Sequence, residues 1–155
     1  MDLYSVIKTV HILSATVLFG TGLGIAFFMF CSVFAKNMHE RYYAARFTVL
    51  ADYLFTAPAV VLQPLTGFWL VRQSGLDLQA SWLQWTFALY ALAGLCWLPV
   101  VWIQIQLRRM VAHAVFTGMP LPPRYNKLFR LWLCLGWPAF GALLGIFYLM
   151  VTKPA

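Results

Sequence analysis

Acid is the scarcest ingredient of this chain. Of 155 residues only four are acidic: Asp2, Glu40, Asp52 and Asp77. Charged residues of both signs make up 10% of the sequence, where soluble domains carry roughly 25%. That deficit excludes a water-facing surface of ordinary composition. Cysteine is sparse too. Cys31, Cys96 and Cys134 stand far apart with no Cys-x-x-Cys spacing, which excludes a disulfide framework and the usual zinc patterns. No nucleophile triad, phosphate-cradling loop or carboxylate pair is visible, so hydrolysis or phosphoryl transfer of the soluble type has no support.

Apolar residues are abundant, at 63%, with 17% aromatics and a mean hydropathy of +0.78. They fall in long runs. No Asp, Glu, Lys or Arg occurs between Lys8 and Lys36, and only Asp52 occurs between Arg46 and Arg72. The stretches from Leu78 to Leu107 and from Leu131 to Thr152 are uncharged. Each exceeds the roughly 20 residues that cross a 30 Å hydrocarbon layer as a helix. The pattern predicts an all-α, polytopic membrane protein, one domain spanning 1–155, with four transmembrane helices near 6–34, 47–71, 82–107 and 131–151 in an antiparallel bundle. The runs are continuous rather than alternating, which argues against a barrel. The first run is longer than the 7–15 residues or so of a signal-peptide core, so it is expected to stay in the mature protein.

Basic residues set the orientation. The first and third loops hold Lys36, Arg41, Arg46, Arg108, Arg109, Arg124, Lys127 and Arg130; the termini and second loop hold only Lys8, Arg72 and Lys153. The positive-inside rule puts the richer loops in the cytoplasm and both termini outside, in a bacterial inner membrane. These loops suit the lipid bilayer as partner, not nucleic acid.

The spans carry marks of their own. Gly20 and Gly24 form a small-xxx-small pair, and Gly141 and Gly145 another. Both predict close helix packing, within the bundle or in a homodimer or larger membrane complex. Pro58 and Pro64 should bend or loosen the second span. Its polar residues Asp52, Thr56, Gln63 and Thr66 return within about 40° of one another on an ideal helix. Such a stripe is expected to face protein or water rather than lipid. Pro64-x-x-Gly67 and Pro138-x-x-Gly141 are offset by 74 positions, as are Gly20 and Gly94, a faint sign of duplicated hairpins.

Two ionisable groups lie within predicted spans. His11 is early in the first, near the depth of Gln63, Thr66, Tyr90 and Met150, with Lys8 one turn before it. It is either a neutral imidazole bonded to a neighbouring helix, or a metal or haem ligand or proton carrier. His39 and His113 fall on the opposite side, so a haem iron at His11 would need Met150, Lys8, water or another subunit as second ligand. Asp52 either pairs with Arg46, Arg108 or Arg130, or forms a proton or cation site with Thr56 and Gln104.

The opening I-K-x-x-H-I-L, then F-G-x-G-L-G, resembles an uncharacterised family of small bacterial integral membrane proteins, domain of unknown function 2269. The P-x-x-x-x-Q-P-L-T-G-x-x-L pattern from Pro58 to Leu70 adds to the resemblance. It implies a four-helix membrane protein and assigns no activity. Lys8, His11 and Gly20 or Gly22 are also similar to the start of haem-binding membrane protoporphyrinogen oxidases and copper-resistance membrane domains. The oxidases rely on a further lysine in a later helix, and the third span here has none.

The functional expectation is a small four-helix inner-membrane protein of unestablished activity, with Lys8, Asp52, Thr56, Gln63 and Thr66 as its polar site; the sharpest reading within it is a b-type haem or redox role centred on His11, with Met150 as a further cofactor ligand. The alternatives are an accessory or scaffold subunit, or a proton-coupled transport component using Asp52.

Overall fold

A computed structural model describes residues 2–154. Helix α1 covers Leu3–Cys31 and runs into a short 3-10 turn at Ser32–Phe34. The second span is built from α2 (Met38–Ala51), one π turn (Asp52–Thr56) and α3 (Ala57–Gln73). Helix α4 covers Ser81–Thr117 and α5 covers Pro123–Thr152. Four continuous helical rods, Leu3–Phe34, Met38–Gln73, Ser81–Thr117 and Pro123–Thr152, are long and apolar enough to cross a membrane.

The boundaries follow local chemistry. Asp2 caps α1 by accepting from the Tyr4 N–H at 3.3 Å. Asn37 caps α2, accepting from the Glu40 N–H at 2.9 Å while its own amide donates to the Glu40 carboxylate at 2.7 Å. The second bond joins the two side chains, so the pair resembles a capping box but leaves the Asn37 backbone N–H outside it. Helix α4 stops at Gly118, which takes φ +70 and donates its N–H to Ala114 at 3.0 Å. Only glycine adopts that conformation without steric cost. Pro123 then occupies the first turn of α5, where its missing N–H costs nothing.

The helices overrun the predicted spans at the basic end. The second rod begins at Met38 rather than 47, α4 ends at Thr117 rather than 107, and α5 begins at Pro123 rather than 131. These extensions, roughly two to three turns each, carry the basic residues that suggested loops. They also enclose the main core: Met29, Ala45, Ile103, Leu107, Val111 and Tyr125 are buried there. The helices continue past the uncharged runs because their inner faces stay apolar.

Helices α4 and α5 form the most extensive pair, and α1 lies antiparallel to α3. Close approach occurs at Gly145, where an added Cβ would lie 2.9 Å from Leu89 Cδ1. Gly20, Gly24 and Gly141 have no such neighbour within 4 Å. The first glycine pair therefore does not pack helices within this chain. Helix α1 meets α5 along a short seam, where Phe19 stacks on Phe140 at 5.0 Å and meets Phe147 edge-on at 5.4 Å.

The proline of α3 has a specific remedy. Pro64 cannot donate to the carbonyl of Val60, four residues earlier. The Tyr90 hydroxyl of α4 donates to that carbonyl instead, at 2.5 Å. Pro58 acts differently. Its ring crowds the carbonyl of Leu54, and the helix widens just before it into the π turn, closed by the Ala57 N–H on the Asp52 carbonyl.

Candidate functional site

The π turn divides the polar stripe. One extra residue in a turn shifts the following register by about 100°. Gln63 and Thr66 consequently face α1, while Asp52 and Thr56 face the interior beside α4. The four residues expected on one face serve two separate clusters.

The first cluster surrounds His11. Gln63 donates its amide to the His11 carbonyl at 2.7 Å and to Ser14 Oγ at 2.6 Å. Ser14 Oγ donates to the same carbonyl at 3.0 Å. His11 Nδ1 lies 2.8 Å from Thr66 Oγ1. The Thr66 hydroxyl has a single hydrogen, and its shortest acceptor is the Leu62 carbonyl at 2.6 Å. With that hydrogen on the Leu62 carbonyl, Thr66 accepts from His11, and the tautomer this bonding pattern assigns is the one protonated at Nδ1. Nε2 is left with a free lone pair, since the hydrogen bond at one ring nitrogen sets the state of the other. Gly67 gives the ring its place: a Cβ there would lie 3.1 Å from His11 Cε1.

The imidazole lines a cavity of about 450 Å³ at the end holding both chain termini. Lys8, Met150 and Lys153 line it as well, with apolar walls from Trp82, Phe87 and Phe147. The structure thus brings the expected Lys8, His11 and Met150 to one space. Lys153 Nζ stands 5.8 Å from the Trp82 ring centre. His39 and His113 lie on α2 and α4 toward the opposite end. Among the described residues, no three His, Cys, Asp or Glu side chains group as a metal site.

The second cluster surrounds Asp52. The other three acids serve local structure: Asp2 and Glu40 in helix starts, Asp77 accepting from the Gln79 N–H at 2.9 Å in the turn before α4. Asp52 is 2% exposed. Thr56, Trp97 and Gln104 are the polar neighbours of its carboxyl. None is in bonding geometry. Both Asp52 oxygens, Thr56 Oγ1, Trp97 Nε1 and Gln104 Oε1 are buried without a hydrogen-bond partner. These residues line a second cavity of about 290 Å³, which no Lys or Arg lines. The anticipated pairing of Asp52 with Arg46, Arg108 or Arg130 is absent. Those arginines sit on the helical extensions, and none of them lines the cavity beside the π turn.

Thr56 and Gln104 were legible as neighbours of Asp52; Trp97 was not. A signal existed in the spacing of Tyr90, Trp97 and Gln104, each seven residues after the last, which stacks them on one face of α4. Tyr90, Leu18 and Leu143 line both cavities and form the waist between them.

The chain belongs to the family described as predicted integral membrane protein, domain of unknown function 2269, which matches residues 5–154. No curated protein and no solved structure matches it.

Proposed function

We propose that this integral membrane protein binds haem b in the cavity lined by His11, and that its role is redox. The observation that carries this reading is the lone pair on His11 Nε2, left free because Thr66 fixes the proton on Nδ1. A macrocycle already supplies four ligands to its metal, so one protein nitrogen can suffice and no side-chain cluster is required. The surroundings fit such a group. The walls are apolar and aromatic, and Met150 offers a thioether as second ligand. Lys8 and Lys153 supply cations for the propionates. When bound, the group supplies one-electron chemistry.

The protein's own part is orientation and polarity. Thr66 holds the imidazole plane, as outer partners of a ligating histidine do. Gln63 and Ser14 fix the backbone that carries it. The setting we propose is a bacterial inner membrane, multi-pass, with both termini outside. That places the His11 cavity toward the outer face and the basic extensions in the cytoplasm.

The test is an optical spectrum of protein purified after haem-supplemented expression. A Soret band in the wild type, lost in a folded His11→Ala variant, is the expected result. A folded wild type without Soret absorption would exclude haem.

A further inference from the structure

The cavity beside the π turn belongs to no part of the haem reading, yet it holds the most unusual group in the chain. A buried acid in a membrane is costly and finds partners or neutralises. Among the described residues, no cation lines the cavity beside the carboxyl, and its polar neighbours Thr56, Trp97 and Gln104 stand outside good hydrogen-bond geometry. Thr56 Oγ1 and Trp97 Nε1, both able to donate, are unpaired beside the carboxyl; what the lining does not supply is a positive charge.

The walls narrow the class. Tyr90, Trp97, Trp132, Trp137 and Phe140 bring five aromatic rings to the same cavity. Aromatic faces attract cations, most strongly where water is excluded. Aliphatic side chains such as Leu18 and Leu143 complete the lining. Only Asp52 and Tyr90 among the lining residues carry a dissociable proton. The carboxyl, the rings and the apolar remainder together describe a receptor for an organic cation with a hydrophobic body. We infer that the cavity beside Asp52 binds a lipophilic organic cation, an ammonium or phosphonium whose charge faces the carboxylate and whose body lies among the aromatic rings. The cation takes the place of the Asp52 proton, which leaves to water, so charge in the cavity stays balanced. The short α1–α5 seam, bridged by Phe19 on Phe140, borders the same space and offers an entry from the bilayer.

The experiment uses the full-length purified protein and tetraphenylphosphonium as probe, with neutral triphenylphosphine oxide as control. Equilibrium dialysis and tryptophan fluorescence report binding. The cation should bind the wild type at least roughly tenfold more tightly than the neutral control, because it alone pairs with the acid. Asp52→Asn should remove that preference and Asp52→Glu should keep it. Equal binding of cation and control, or a preference unchanged in Asp52→Asn, would show an apolar lipid crevice and overturn the inference. So would a folded wild type that binds neither. Should Asp52→Asn not fold, the wild type still decides. An apolar carbodiimide labels a protonated intramembrane carboxyl, and mass spectrometry locates the label. Tetraphenylphosphonium should protect Asp52 and the neutral analogue should not; labelling unaffected by the cation would refute the site.

Discussion

The hydroxyl of Tyr90 donates to the carbonyl of Val60 at 2.5 Å, and that carbonyl is the one Pro64 leaves without an intrahelical donor. A defect in one span is repaired by a side chain of another. In lipid no water is available to do the same.

Tyr90→Phe should therefore destabilise the bundle by about 1–2 kcal/mol, the cost of an unmet carbonyl in this setting. Pro64→Ala restores the intrahelical donor, so Tyr90→Phe should cost markedly less in that background. A double-mutant cycle on unfolding in detergent measures the coupling. Additive effects would mean that the tyrosine does not compensate the proline.

The state of His11 depends on two neighbours in α3. Thr66→Val deletes the acceptor for Nδ1–H and should weaken haem binding by about 10–100-fold, the usual range for losing an outer partner of a ligating histidine. Gly67→Ala pushes on the ring from 3.1 Å and should also lower affinity while leaving the helix intact. Titration of the purified variants with haemin, followed in the Soret region, measures both. Unchanged affinity in Thr66→Val would show that the threonine does not set the imidazole.

Gly145 is where α4 and α5 approach closely. An added methyl would stand 2.9 Å from Leu89 Cδ1, the end of a flexible side chain. Gly145→Ala should cost about 1 kcal/mol and Gly145→Val more, up to about 3 kcal/mol, as overpacking does. Leu89→Ala should relieve most of it. Thermal unfolding of the singles and doubles gives the answer. Gly141→Ala, with nothing within 4 Å, should be close to neutral.

The basic end should prove the stable end. Leu107 is fully buried in the core there, whereas Leu98 of the same helix is 62% exposed. Leu107→Ala should cost about 2–5 kcal/mol, the range for emptying a packed site. Leu98→Ala should stay within about 0.5 kcal/mol. Denaturant titration compares them. Similar costs would place the core elsewhere.

Much of this was legible in the sequence, for a definite reason. Charge is so costly in hydrocarbon that its gaps mark each crossing. His11 could be matched with Gln63 and Thr66 by depth alone, because both partners lie at similar distances from a membrane face. The split of the polar stripe was hidden. It arises at a π turn, and proline announces a disturbance without saying whether the helix bends, opens or widens. Pro64 leaves α3 helical because Tyr90 attends to it; Pro58 produces the widened turn. Helix ends were also hidden. Arg41, Arg108 and Arg124 look like loop residues by charge, yet the helices that hold them carry Ala45, Leu107 and Tyr125 into a shared core. The repeat hinted at by Pro64-x-x-Gly67 and Pro138-x-x-Gly141 has no common use, since Gly67 receives an imidazole and Gly141 receives nothing.

The central claim is that His11 presents an unprotonated nitrogen to a cavity that takes haem b. Haem content per chain, measured by pyridine haemochrome on purified protein alongside circular dichroism, tests it most directly. The wild type should carry a stoichiometric b-type haem, and His11→Ala of equal helicity should carry none. Equal haem in both proteins, or none in a fully helical wild type, would contradict it.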